Sequence, residues 1–419
     1  MIKMHRRQVM LTTVGAFALA VSASAGFAPA HAQDKTVTIG IGLPLTGADA
    51  DSATRIKNGA LMAIDDVNAA GGAGGYKLTS TTLDSATATA GQYDPAQAAI
   101  NAKKFASDPN VVALVGPQMS GEGKAMTPIL SAANLATITP SSTNPDITDP
   151  KFAGQFKPNG KAIYFRTVTT DAYQGPNMAN YMRDTLKVKS VYILDDSGAY
   201  GVGMSNAFEA QAKKIGMNVM GHDQLDPKEA DYTTVLTKIK GLNPDAVYYG
   251  GVAQAAVKVG KQVYDIMPNV IKCGGDGLVD GGILSAVGFP AIEGWYATQA
   301  TPDALDAPAN ADWVARYTKT YGMTPTLYSI NAYDAVMVIA DAVTRVAASG
   351  KPVNHDTVRD AIQDANTKTL QGTVSFDENG DITNKVISVW QIHHDPSFPE
   401  DDVSHQLKYI GDAPEAPAS

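Results

Sequence analysis

"VVALVGPQMSGEGKAMTPILSAANLATITPSSTNP", residues 111–145, holds one complete unit of the fold. "VVALVG" (111–116) is an unbroken apolar run rich in β-branched residues, the composition of a strand covered on both faces. Gly121–Ala133 has helical spacing, and "LATITP" (135–140) reads as a second strand. Strand, helix and strand in close succession make a βαβ unit, whose two strands run parallel. Each strand ends in small polar residues, "GPQMSGEG" after the first and "TPSSTNP" after the second. In the latter, Ser141, Ser142 and Thr143 stand in a row between Pro140 and Pro145, which stop strand and helix alike.

The same alternation runs outward in both directions. Upstream lie strands "VTIGIGL" (37–43) and "KLTSTTL" (77–83), with helices over Arg55–Ala69 and Asp94–Ala106. Downstream the pattern starts again with "AIYFRTV" (162–168), a helix over Gly175–Leu186, "SVYILDD" (190–196), a helix over Gly201–Ile215, "DAVYYGG" (245–251), a helix over Ala253–Ile266, and "VIKCGG" (270–275). Two such series predict an α/β fold of two similar lobes, each a parallel sheet covered by helices on both faces. After them come "WYATQA" (295–300), helices around 309–349 and 353–365, and "VSFDENGDITNKVISVWQI" (374–392), which reads as two strands joined by an "ENGD" turn. "GDAPEAPAS" (411–419) reads as a loose tail.

The 419 residues, 44% hydrophobic and 18% charged, are enough for two domains. Residues 1–32 form a separate element: a basic start "MIKMHRRQVM", a short apolar run and "AHA" at 30–32 predict a signal peptide cleaved before Gln33. The residues around Arg6-Arg7 fit the general secretory route better than the twin-arginine one, and no cysteine follows the cleavage site to carry a lipid. Without Lys3, Arg6 and Arg7 the mature chain has 30 basic against 42 acidic residues, a net charge of −12. That balance argues against nucleic acid as a partner. Cys273 is the sole cysteine, so no internal disulfide forms.

Catalytic and cofactor signatures are missing. There is no phosphate loop, no complete dinucleotide fingerprint, no G-x-S-x-G elbow and no H-E-x-x-H. "DENGDITNKVIS" starts like a calcium loop, but Ile382 and Ser388 stand where it needs glycine and glutamate. No metal and no cofactor is expected.

Ligands of open parallel sheets sit at the carboxyl ends of the strands. Five segments qualify: "GPQMSGEG" and "TPSSTNP" in the first series, and "DDSGAYGVG", "GGVAQ" and "GGDGLVDGG" in the second. A ligand touching all five lies between two lobes. Ser120, just before a helix, reads equally as an N-cap and as a hydroxyl that holds a carboxylate together with the helix N-terminus. Ser141, Ser142 and Thr143 read as a hydroxyl turn or as ligand donors. Tyr200 reads as packing or as a site residue. Asp276, set among glycines in "CGGDG", reads as a turn residue or as a carboxylate facing an ammonium. Glu122 and Lys124 read as a solvated helix face. Taken together, donors on one lobe and an acid on the other describe a site for a zwitterion.

These blocks carry a family likeness. "IGIGLPLTG", "NGALMAIDDVNAAGG", "VALVGPQMSG", "TITPSSTNPDIT", "YFRTVTTDAYQGP", "LDDSGAYGVG", "ADYTTVLTKIKGLNPDAVYYGG", "GGDGL" and "VSFDENGDI" run in order over nearly all of 36–395. The mature chain resembles the periplasmic leucine/isoleucine/valine-binding proteins, the solute receptors of branched-chain amino acid ABC importers. The resemblance implies a type I periplasmic binding fold of two lobes joined by three crossovers near Thr170, Gln299 and Asn384. Lobe 1 would then comprise 33–170 and 300–384, and lobe 2 171–299 and 385–419. It implies a periplasmic protein that is not an enzyme, with a small-molecule ligand, a membrane permease as partner and no membrane insertion of its own after cleavage. It also implies ligand-binding roles. Ser120, Ser141, Ser142 and Thr143 would hold the α-carboxylate and amine, and Gln118 would also bind ligand. Tyr200 would close from the other lobe, and Asp276 would pair with the α-ammonium. Three positions depart from the family pattern: Val252 replaces an aromatic residue, Ser52 a tryptophan over the ligand side chain, and Met119 a disulfide cysteine. The head-group site is therefore expected intact and the side-chain pocket altered. The alternative ligands on the same fold are an aromatic acid, an amide or urea; a periplasmic enzyme is the alternative from another class.

Overall fold

The structure, a computed structural model, describes residues 35–413. The predicted leader, its cleavage point and tail residues 414–419 lie outside the described residues.

The first lobe follows the predicted alternation. β1 (Lys35–Leu43), α1 (Ala50–Ala69), β2 (Tyr76–Asp84), α2 (Pro95–Ser107), β3 (Val111–Val115), α3 (Ser120–Ala132), β4 (Thr137–Thr139), the single turn α4 (Ala153–Phe156) and β5 (Tyr164–Arg166) succeed one another. The five strands are all parallel, in the order β2-β1-β3-β4-β5. Every residue of β3 is buried, which explains its unbroken apolar sequence. The strand "AIYFRTV", expected to open the second series, closes the first sheet instead: β5 pairs with β4.

The second lobe contains α5 (Asp171–Asp184), β6 (Ser190–Asp195), α6 (Ala199–Lys214), β7 (Asn218–Gln224), α7 (Thr233–Leu242), β8 (Ala246–Gly250), α8 (Ala253–Ile266), β9 (Ile271–Gly274), α9 (Gly281–Val287) and β10 (Tyr296–Gln299). The chain continues through α10 (Ala311–Tyr321), α11 (Leu327–Ala348), α12 (His355–Gln363), β11 (Thr367–Thr369), β12 (Gly372–Val374), β13 (Ser388–Ile392) and β14 (Leu407–Asp412). The second sheet has the order β14-β13-β10-β9-β8-β6-β7. Its parallel core carries two added strands at one edge, β13 antiparallel to β10 and β14 antiparallel to β13. Helix α11 returns to the first lobe, where Ala335, Val336, Ile339 and Val343 share one core with Ile39, Ile41 and Ile138.

Three expectations are corrected. The region around 309–349 is two helices: α10 ends at Gly322, whose φ of 68° suits a residue without Cβ, and α11 starts anew at its cap Thr326. The "ENGD" turn exists, with Gly380 N–H donating to Asp377 O (3.1 Å), and its immediate flanks meet in one antiparallel bridge, Phe376 with Ile382, but the longer flanking strands do not pair with each other. β12 pairs with β11, whereas β13 joins the second sheet. Gly411 and Asp412, read as loose tail, belong to β14.

Candidate functional site

The carboxyl ends of the two sheets face one another across a cavity lined from both lobes. The first lobe contributes Ser52 from α1, Gln118, Met119 and Ser120 from the β3–α3 turn, and Ser141 after β4. The second contributes Tyr200 from α6, Val252 after β8, and Asp276 after β9. Seven of the nine candidate residues thus line one cavity. Ser142 and Thr143 do not line it; they stand behind it.

Their supporting role is visible in the hydrogen bonds. Ser142 Oγ donates to Ser120 Oγ (3.1 Å), and Asn144 N–H donates to the same oxygen (3.2 Å). Thr139 Oγ1 accepts the N–H groups of Ser141 and Ser142 (3.3 and 2.9 Å). From behind, the fully buried Arg166 guanidinium donates to Ser142 O (2.6 Å) and Asn144 O (2.7 Å) and pairs with Asp381 (2.8 Å). The loop's carbonyls are thereby held on a cation. Ser120 is not the N-cap: Met119 holds that position and Ser120 is the first residue of α3. N–H groups in a first helical turn have no partner within the helix, and with the hydroxyl they suit an anion.

Asp276, 4% exposed, is the hub on the opposite side. Its Oδ1 accepts from Tyr200 Oη (2.6 Å) and Gln174 Nε2 (2.9 Å), and its Oδ2 accepts from Tyr328 Oη. Gly277 N–H in turn donates to Tyr200 Oη (3.0 Å). The flanking glycines make this approach possible, since a Cβ at Gly275 would collide with the Tyr200 hydroxyl and one at Gly277 with Gly251 O and the Tyr200 ring. Gln174 Nε2 also donates to Asp171 Oδ1 (3.1 Å), tying a second buried carboxyl to the first. Burial raises both carboxyls, and the Asp276 charge raises Asp171 further. Burial, then the Asp276 charge, pushes the Tyr200 and Tyr328 phenols well up, so both remain donors. Tyr328 lies in α11, on the first lobe's side, so its bond to Asp276 crosses the cleft. Asn144 Nδ2 donating to Ala199 O (2.8 Å) crosses it too. The lobes are shut.

Sequence reasoning missed several residues. Tyr328 went unseen because the break at Gly322–Thr326, which makes it the second residue of a helix, was read through. Glu122, expected on a solvated face, is fully buried. Its carboxylate accepts Met119 N–H (2.9 Å), and burial pushes it up to about 8. Lys124 is half-buried and pairs with Asp146 (2.7 Å). Asp49 and Asp280 also line the cavity. Burial raises Asp49 to about 6, and raises Asp280 to about 7 with help from the Asp51 charge.

Comparison with known proteins decides the family. The model of a family described as "Periplasmic binding protein" matches residues 36–393. The chain belongs to the periplasmic binding protein family. The Leu/Ile/Val-binding protein BraC3 of Rhizobium johnstonii is 31% identical over 83% of this chain and 89% of its own length. The leucine-, isoleucine-, valine-, threonine- and alanine-binding protein of Pseudomonas aeruginosa is 29% identical over 85% of this chain and 89% of its own. Among solved structures, LivJ from Streptococcus pneumoniae in complex with isoleucine superposes with a TM-score of 0.75 at 23% identity, covering 90% of this chain and 99% of that one. A solute-binding protein from R. palustris in complex with benzoate gives 0.74 at 21% identity, covering 91% and 97%. The fold of this periplasmic binding protein is therefore that of the type I receptors, as the resemblance implied. Among the described residues no helix is long and apolar enough to cross a membrane, and no group of three His, Cys, Asp or Glu could hold a metal ion.

Proposed function

We propose that this protein is the exported receptor of an ABC importer and captures an amino acid by its zwitterionic head group. One arrangement carries the reading: Ser120 and Ser141 on one jaw oppose Tyr200 and Asp276 on the other in a single cavity. The α-carboxylate sits on the Ser120 hydroxyl and the first turn of α3, beside Ser141, whose own hydroxyl donates to Gln118 O (3.0 Å). The α-ammonium sits on Asp276. Ligand enters the open cleft and binds the first lobe; closure then adds contacts from Asp276 and Tyr200 that only the shut form makes, which shifts the population. The names of the relatives support an amino acid ligand, and the importer role makes a membrane permease the partner. In this reading the leader is removed before Gln33, the mature chain works in the periplasm and no ligand is chemically changed.

The benzoate-bound relative raises the aromatic-acid alternative on the same fold. Against it stands Asp276, which would face no cation in such a complex. A melting-temperature screen of the mature protein against amino acids, amides and aromatic acids tests the reading. A ligand at a hundred times its Kd adds about 2.7 kcal/mol, a clear shift. Stabilisation by aromatic acids alone, or turnover of a stabilising ligand, would overturn it.

A further inference from the structure

The charges in the cavity do not balance for an aliphatic amino acid. Asp276 answers an α-ammonium, and the Ser120 side answers an α-carboxylate. Two more carboxyls line the same cavity, Asp49 and Asp280, and no Lys, Arg or His does. Asp49 stands just ahead of α1 yet does not cap it: its Oδ2 accepts Tyr93 N–H (2.8 Å). Its Oδ1, in a residue only 1% exposed, has no hydrogen-bond partner. Gln118 Oε1, also in the lining and buried, likewise has none. Both orphans are acceptors, so both ask for a donor from the ligand. Asp280 uses Oδ1 to cap α9, accepting Ile283 N–H (2.9 Å), which leaves its other oxygen for the cavity.

The nearest cation is already committed. Arg55 pairs with Asp51 (2.9 Å) and Asp401 (3.2 Å) and donates to Thr324 O (2.6 Å). Asp196, whose charge raises Asp49, has its own oxygens filled by the N–H groups of Gly198 (3.0 Å) and Val252 (2.9 Å). A metal ion would be another answer to the acids, but among the described residues no such group is formed. A leucine side chain here would bury Asp49 Oδ1 and Gln118 Oε1 unpaired. A cationic side chain supplies both donors and the missing charge.

We infer that the ligand is an amino acid with a cationic side chain, an ammonium or guanidinium that Asp49, Asp280 and Gln118 receive. This rests on the zwitterion reading above and names its substrate class. The test is calorimetric titration of the mature protein with arginine, lysine, leucine and phenylalanine, repeated on Asp49→Asn and Asp280→Asn. The expected result is arginine or lysine binding at least roughly tenfold more tightly than leucine, the equivalent of about 1.4 kcal/mol. The preference should be erased by Asp49→Asn, which keeps an oxygen for Tyr93 N–H. Should Asp49→Asn misfold, Asp280→Asn carries the same expectation. Leucine or phenylalanine binding as tightly as the basic pair overturns the inference while the zwitterion reading stands. A basic preference that survives both substitutions overturns the assignment of these residues. Failure of every amino acid, with aromatic acids binding instead, overturns inference and reading together.

Discussion

Replacing Asp276 by alanine removes the acid on which the proposed site turns. In the shut form this carboxylate is almost fully buried and accepts from Tyr200, Gln174 and Tyr328. An ammonium bound there would sit in the same dry environment, and removing one partner of a buried charge pair costs roughly 3–5 kcal/mol. Affinity for the amino acid should therefore fall by about 150-fold to 5,000-fold. The Tyr200 and Tyr328 hydroxyls also lose their acceptor, at about 1–3 kcal/mol for each buried group left unpaired. The Tyr328 share of that loss falls on the shut form alone, because only that bond crosses the cleft, so the variant should rest open. Calorimetric titration with the amino acid that stabilises the parent most gives the affinity, and the thermal transition of the empty variant reports whether it is folded. A folded Asp276→Ala that binds within about threefold of the parent would refute the reasoning.

Further outcomes follow from the same geometry. Tyr328→Phe removes a bond across the cleft to a carboxylate, about 1.5–3 kcal/mol, so the empty protein should show a larger radius of gyration by small-angle scattering; an unchanged radius contradicts it. The buried Asp171–Asp276 pair is raised, so it holds a proton that an ammonium displaces. Ligand binding should release protons near neutral pH, and affinity should fall as pH falls below the raised range. Equal binding heats in buffers of different ionisation enthalpy would contradict this. Glu122 is raised from 4.5 to about 8, so the fold favours its neutral form. Its contribution is full below pH 4.5 and is lost as pH rises to about 8, by up to about 4 kcal/mol. Glu122→Gln should flatten that decline in urea midpoints measured at pH 5 and pH 8; a decline as steep as the parent's contradicts it.

The sequence made some of this legible and hid the rest for physical reasons. Apolar runs such as Val111–Val115 announce buried strands, and the strand ends then locate Gln118, Ser120, Ser141 and Asp276 without further information. Asp276 also carries its own signal in the glycines on either side. The "ENGD" turn was readable because turn chemistry is local. Its flanking strands were not, because pairing with β11 and β10 is decided by the rest of the fold. Glu122 looked solvated because an acid in a first helical turn usually is; its burial comes from neighbours distant in sequence. Tyr328 and Gln174 reach Asp276 from other elements, more than fifty residues away along the chain, and nothing in their local sequence marks them.

The account stands or falls on where a bound amino acid lies between the jaws. The direct measurement is a crystal structure of the mature protein with the amino acid that raises its melting temperature most. The ammonium nitrogen should lie about 3 Å from Asp276, and the carboxylate oxygens should meet Ser120 and Ser141. A ligand whose carboxylate faces Asp276, or one bound outside this cavity, would contradict the account.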